Sequence, residues 1–308
     1  MIKNEEQNLK KEKKLLKPKN DIVFQSLFSS KNEKITKAFA EALLEEKIDK
    51  IVINSTKELY REKPDDKLGI LDLELDINNK EKVDVEIQLV EREDFSNRLL
   101  YYFSRLYAGQ AKRGSDYDEC KRVVIIAIID YELELTKDVE KMETKWKLRE
   151  TKNPHLVLTD EIEICIIELP KVRREYENNK NNEKAQWMMF LDNPNTKEVE
   201  DIVKNNEEIK DAVVEVHKMT EDEKMRKLAE LREKAIMDEK AIEKAGFRKG
   251  KEKGLEQGIE QGIAQGLEQG LKQGEEKKTK QIINKLKEKG FSKEEIMKML
   301  DLSENEFK

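Results

Sequence analysis

The chain has 308 residues, of which 42% are charged and only 6% are aromatic, and its net charge is −6. This length suits one α/β domain with a long appendage, and the composition predicts a modest core. The net charge gives no indication of nucleic-acid binding. The longest uncharged apolar run, residues 123–129, is too short to cross a bilayer. Because the Lys-rich N-terminus lacks the apolar core of a signal peptide, we expect a cytoplasmic protein without membrane contact.

Cysteine and histidine are both scarce. Cys120 and Cys165 form no disulfide framework, so a reducing compartment is the default. His155 and His217 are the only histidines, which argues against a zinc site and against a His-based catalytic triad.

The predicted elements follow a charged leader, residues 1–16, which we expect to be disordered. Apolar spacing predicts helices at 21–28, 35–44 and from Asp94 to a stop at Gly114, and strands at 51–53, 70–77, 82–89, 122–130 and 162–168. The order of one helix region, three strands, a helix and a strand is typical of an α/β/α sandwich. We expect this globular domain to span residues 17–170.

The rest of the chain divides into three stretches. Residues 171–245 are predicted to be helical and charged, with weak signs of a core. Residues 246–275 carry glycine at every fourth position, using eight of the twelve glycines, and residues 276–308 form a small helical tail with a capping box at 292–295. Eight glycines cost a lone helix roughly 8 kcal/mol relative to alanine. Two alternatives therefore stay open: a helix that self-associates into a homo-oligomer, or a tether.

Two alternating segments, 70–77 and 82–89, flank the turn-forming residues Asn78-Asn79-Lys80 and predict a β-hairpin. A turn centred on Asn79 places three pairs of side chains opposite each other: Asp72 and Glu86, Glu74 and Asp84, and Asp76 and Lys82. Facing carboxylates repel at a cost of up to about 1 kcal/mol. A divalent cation would convert that cost into binding energy. The Asp72–Glu86 pair is therefore either a tolerated surface clash or half of a metal site.

The second alternative matches the needs of phosphodiester hydrolysis. That reaction requires an attacking water, neutralisation of the phosphate and stabilisation of the leaving oxygen, and carboxylate-held Mg²⁺ can supply all three. Asp72 and Glu86 would ligate the metal, and the backbone carbonyl of Ile87 would add a third oxygen. Gln88 projects from the same strand face as Glu86 and could orient a water or a phosphate oxygen.

Several motifs in this order resemble the Rpn recombination-promoting nucleases and related transposases of the PD-(D/E)XK superfamily. They are Pro18-Lys19-Asn20-Asp21-Ile22-Val23-Phe24, Leu71-Asp72-Leu73, Val85-Glu86-Ile87-Gln88 and the segment from Phe95 through Tyr117. The glycine-rich tail is similar in style to that family's tail. The resemblance covers residues 18–170 well and residues 171–245 loosely.

The resemblance implies a metal-dependent DNA endonuclease that uses Mg²⁺ or another divalent cation. Its fold would be a restriction-endonuclease-like αβββαβ core, a mixed sheet flanked by helices, with a helical C-terminal extension. Asp72 would be the motif aspartate and Glu86 the acidic residue of the (D/E)xK element. Gln88 stands where the superfamily usually has lysine, which leaves the source of positive charge open.

The resemblance also leaves the third acidic ligand open among Asp21, Glu41 and Glu45. The DNA-contact candidates are Arg98, Tyr101, Arg105, Lys112 and Arg113, with Lys67 as a further source of positive charge. Arg98 and Arg105 share one helical face and could meet phosphates or solvent, and packing is an alternative for Tyr101. The competing hypothesis is a catalytically weak or inactive DNA-binding, self-assembling protein that retains the nuclease fold.

Overall fold

A computed structural model describes residues 14–58, 70–111, 114, 116–303 and 307 of the chain. The helices are α1 (Asp21–Leu27), α2 (Glu33–Leu44), α3 (Phe95–Ala108), α4 (Leu169–Asn178), α5 (Glu183–Asp192), α6 (Lys197–Asn205), α7 (Glu207–Glu221), α8 (Glu223–Glu288) and α9 (Lys293–Leu300). The strands are β1 (Ile51–Glu58), β2 (Ile70–Ile77), β3 (Glu81–Gln88), β4 (Arg122–Ile129), β5 (Glu143–Trp146) and β6 (Ile162–Glu168). The chain forms two compact units, of which the first ends at Lys240 and the second begins at Ala241.

The six strands of the first unit form one mixed sheet in the order β1-β2-β3-β4-β6-β5. Strands β1, β2 and β3 are antiparallel, β3, β4 and β6 are parallel, and β5 is an antiparallel edge strand. The uninterrupted apolar sequence of β4 fits its central position, where both faces are covered. The predicted α/β fold, a mixed sheet flanked by helices with a helical C-terminal extension, is confirmed.

Helices cover both faces of the sheet. One face carries Leu73, Leu75, Val83 and Val85, which belong to the main core together with helices α1, α2, α5 and α7. The other face packs under α3, whose Phe95, Leu99, Tyr102 and Leu106 meet alternate residues of β4. Because strand side chains alternate between faces, Asp72, Glu74, Asp76, Asp84 and Glu86 of the β2–β3 hairpin lie on the α3 side.

Three predictions about this unit were wrong. Helix α3 ends at Ala108 and not at Gly114. Strand β5 was not predicted, since four residues at a sheet edge carry too little periodicity to be detected. The helices after residue 170 contribute more residues to the hydrophobic core than expected. Trp187 and Phe190 in α5 are buried, and the Trp187 ring packs edge to face against Phe39 of α2 with 5.4 Å between the ring centroids.

In the second unit, α8 passes through all eight glycines of the repeat. Their Cα positions face open space, and the apolar residues that follow the same step are exposed: Leu255, Ile259, Ile263, Leu267 and Leu271. Helix α9 begins with the predicted capping box between Ser292 and Glu295. Among the described residues, no helix is long and apolar enough to span a bilayer.

Candidate active site

The β2–β3 hairpin brings Asp72 and Glu86 together where its ladder ends. The predicted pairings of Glu74 with Asp84 and of Asp76 with Lys82 are confirmed, and the β2–β3 ladder ends at the pair of Leu73 with Val85. Beyond that pair, the backbone N–H of Asp72 donates to Glu86 Oε1 at 3.4 Å. The backbone N–H of Ile87 donates to Asp72 Oδ2 at 2.9 Å. The two carboxylates therefore link the ends of neighbouring strands.

Helix α1 adds two polar side chains to this pair. Gln25 Nε2 donates to Asp72 Oδ1 at 3.1 Å, so both Asp72 oxygens accept hydrogen bonds. Asp21, one turn earlier on the same helix, lies near enough for its negative charge to raise the pKa of Asp72. Gln25 was missed in the sequence, although its i+4 spacing from Asp21 places the two side chains on one face.

These residues line a cavity of about 280 Å³. Its described lining consists of Asp21, Gln25, Asp72, Glu86, Ile87, Gln88, Leu89, Val90, Arg92, Arg98, Arg232, Ile236 and Glu239. The last three come from the start of α8, which sequence reasoning assigned to a separate charged region. No local signal relates those α8 residues to the hairpin, because they lie more than a hundred positions away.

Several acidic residues of the hairpin are buried, whereas Asp72 and Asp76 are half-buried. Glu86 is 9% exposed, and Glu74 and Asp84 are fully buried. Lys82 Nζ donates to Glu74 at 3.0 Å, whereas both carboxylate oxygens of Asp84 lack a hydrogen-bond partner in the described structure. Glu86 and these two neighbours therefore lie below the surface, because α3 covers this face of the sheet.

Burial raises the pKa values of both carboxyl groups of the pair. Burial, reinforced by the charge of Asp72, raises the pKa of Glu86 to about 8. Burial likewise raises the pKa of Asp72, with Asp21 adding to the effect. The positive charge of Arg98 acts in the opposite direction on both groups without cancelling the increase. The pair is thus short of positive charge.

The donor set suits a hard divalent cation. Mg²⁺ is bound through one or two carboxylates and keeps several waters, so Asp72, Glu86 and the Ile87 carbonyl are a sufficient protein contribution. No group of three or more His, Cys, Asp or Glu side chains arranged to hold a metal occurs within the part of the chain described. The fit of a divalent cation to this site therefore depends on the two carboxylates of Asp72 and Glu86, whose repulsion a bound cation would reduce.

Gln88 lines the cavity, but its amide is engaged with the backbone. Its Nε2 donates to the carbonyl oxygen of Val90 at 3.0 Å. This hydrogen bond holds a neutral side chain at the position where the superfamily usually has a positively charged lysine.

The other candidates are distributed as follows. Arg98 lines the cavity, whereas Tyr101 packs beside Tyr102 and Arg105 is not part of the lining. Lys67, Lys112 and Arg113 lie outside the described residues. Glu41 accepts hydrogen bonds from Lys47 and from the backbone N–H of Ile48, and Glu45 lies near Lys145 and Lys184. Of the three third-ligand candidates, the structure brings only Asp21 to the cavity.

Comparison with known proteins agrees with this geometry. The family model described as PD-(D/E)XK nuclease family transposase matches residues 18–245. This range contains every described residue that lines the cavity. No curated protein and no solved structure matches the chain. Since the family model covers most of its length, the chain belongs to the PD-(D/E)XK nuclease family transposases.

Proposed function

We propose that the chain is a Mg²⁺-dependent DNA endonuclease of the recombination-promoting type, acting at the Asp72–Glu86 pair. One observation carries the proposal: two carboxylates that repel each other meet in a cavity that arginines also line. Membership of a nuclease family supports hydrolysis as the reaction and DNA as the substrate.

Each residue of the site has a separate role in the proposed hydrolysis. Asp72 and Glu86 would hold the cation, with the Ile87 carbonyl as a third oxygen, and Gln25 fixes the orientation of Asp72. A bound Mg²⁺ would supply activation of the attacking water and stabilisation of charge on the phosphate and the leaving oxygen. A water oxygen forms a bond to phosphorus and gives up one proton to solvent, the bond from phosphorus to the leaving ester oxygen breaks with its electron pair, and that oxygen gains a proton from solvent.

Plasmid cleavage tests this proposal. The chain should nick or cut supercoiled DNA with Mg²⁺ and not with a chelator. Asp72→Asn and Glu86→Gln should each lower the rate at least about a hundredfold, because loss of the metal removes several kcal/mol of transition-state stabilisation. Asp201→Asn, which removes an exposed carboxylate paired with Lys204, is the matched control. Unchanged rates in both site variants would reject the assignment.

Gln88 favours one alternative, a DNA-binding protein with a weak or inactive site. A neutral amide tied to Val90 cannot supply the charge that a lysine would. Under this alternative, the chain shifts DNA in a gel with Mg²⁺, Mn²⁺ or Ca²⁺, and no cation produces cleavage.

We also propose that the second unit self-associates through its glycine repeat. The apolar residues on the repeat are exposed, and glycines allow close approach of a second helix. Burial against another copy would offset the helical cost of the glycines. Ile259→Glu with Ile263→Glu should lower the mass measured by sedimentation, whereas Gln261→Glu should not. Identical masses for all three chains would contradict this.

A role in DNA recombination or mobile-element movement in the cytoplasm follows from the same proposal. The transposase description of the family supports the role, and two free cysteines suit a reducing compartment. Expression of the chain should raise the recombination frequency between plasmid repeats, and expression of Asp72→Asn should not. Equal frequencies would remove the recombination role.

A further inference from the structure

Three arginines and no lysine occur among the described residues that line the cavity. Two of the arginines are ion-paired: Arg92 with Glu239 at 2.8 Å and Arg232 with Asp21 at 2.6 Å. For Arg98, no carboxylate lies within ion-pair distance among the described residues. Arg98 is therefore the lining arginine whose charge is not already neutralised by a direct partner.

Helix α3 holds the Arg98 side chain in place. One guanidinium nitrogen donates to Tyr102 Oη at 2.9 Å, and the Arg98 Cζ atom lies 5.7 Å from the centroid of the Tyr102 ring. Tyr102 itself is buried against the sheet with Leu99 and Leu106. A guanidinium has five N–H donors, so this anchoring leaves donors available for a phosphate.

The charge of Arg98 reaches both candidate metal ligands. Arg98 lines the same cavity as Asp72 and Glu86. Gln88, by contrast, is neutral and donates to Val90. A phosphate bound at the carboxylate pair would therefore meet its positive charge from α3 and not from β3.

We propose that Arg98 is the catalytic residue that neutralises the scissile phosphate, in the role that Gln88 cannot fill; this rests on the proposed nuclease function. As water adds to phosphorus and the ester bond breaks, negative charge grows on the non-bridging oxygens. The free N–H groups of Arg98 donate to those oxygens, and a planar guanidinium can do so with two parallel bonds. No electron is transferred, and Arg98 keeps its proton throughout.

Single-turnover cleavage of plasmid DNA by the full chain with Mg²⁺ tests this role. Arg98→Met should lower the cleavage rate about a hundredfold to a thousandfold, with less than about a tenfold change in DNA affinity. Arg98→Lys keeps the charge and should retain more activity. Adding Gln88→Lys to Arg98→Met should recover at least about tenfold, because the charge returns from the neighbouring strand. Arg173→Met, which removes an exposed arginine paired with Glu198, is the control.

Folding is checked by the fluorescence of buried Trp187. If Arg98→Met does not fold, Arg98→Gln is used to test the role of Arg98, because it keeps a hydrogen-bond donor for Tyr102 but has no charge. The role of Arg98 would be overturned if a folded neutral variant cleaved DNA at a rate within about threefold of the parent chain. The nuclease assignment would be unaffected by that result. A change in DNA affinity alone would also overturn it. A parent chain that cleaves with no divalent cation would remove both proposals.

Discussion

Replacing Glu86 by glutamine should make the metal-free protein more stable at high pH while removing its activity. The variant keeps the size of the side chain and an oxygen that can accept from the backbone N–H of Asp72. It removes a carboxyl group whose pKa is about 8 in the folded chain, against an ordinary value of 4.5, because of burial and the charge of Asp72. The substitution therefore separates stability from function at a single position.

The sign follows from proton binding. Between pH 4.5 and about pH 8, the folded chain holds a proton on Glu86 that the unfolded chain has released. Stability contributed by this group is therefore full below pH 4.5 and falls as pH rises towards 8. The whole effect has a ceiling of about 5 kcal/mol. The part lost between about pH 6 and about pH 8 is about 2 kcal/mol, or about 4–8 °C in Tm for a unit of this size.

Thermal unfolding with a chelator present, followed by the fluorescence of buried Trp187, measures this difference at pH 6, 7 and 8. The Tm advantage of Glu86→Gln over the parent chain should grow by about 4–8 °C across that range. Glu134→Gln, at an exposed carboxylate, should follow the parent chain. Parallel pH profiles for the parent chain and Glu86→Gln would refute the argument that Glu86 is held protonated by its surroundings.

Two further outcomes follow from the same structure. Mg²⁺ binding at pH 7 should release close to one proton per cation, because Glu86 must ionise to bind it. Calorimetry in buffers of different ionisation enthalpy measures the number of protons released. The prediction would be contradicted if that number at pH 7 were as small as the number at pH 9. Lys171→Met should lower the free energy of unfolding in urea by about 3–5 kcal/mol, because it leaves Glu168 buried without its ion-pair partner at 2.8 Å. Adding Glu168→Gln to Lys171→Met should recover part of this free energy. A loss below about 1 kcal/mol for the single variant would show that Glu168 is otherwise compensated.

The hairpin register could be predicted from sequence because its causes are local. Turn residues at 78–80 and strict alternation on both sides define which residues pair. The same reasoning could not show that the polar face of the hairpin is buried. That depends on α3 packing over the sheet, and its Phe95, Leu99 and Tyr102 give no local sign of which strands they will cover.

The rim of the cavity could not be predicted for a similar reason. Arg232 and Glu239 belong to a charged helix with no motif, and they reach the site only because the start of α8 packs beside α1 and the hairpin. The core in α5 was underestimated because its apolar residues form a run, Trp187 to Leu191, without the one-sided spacing of a surface helix. A helix buried on all sides carries no such spacing.

The apolar side chains of the hairpin determine the geometry of the acidic ones. Leu73, Leu75, Val83 and Val85 are fully buried or nearly so in the main core, so a slip of one residue in either strand would drive carboxylates into that core. The register that avoids this penalty is also the one that places Asp72 beside Glu86. The repulsion between the carboxylates of Asp72 and Glu86 is therefore maintained by hydrophobic burial on the opposite face of the same strands. Because that burial is worth more than the repulsion costs, the chain can keep a site that is unfavourable until a cation binds.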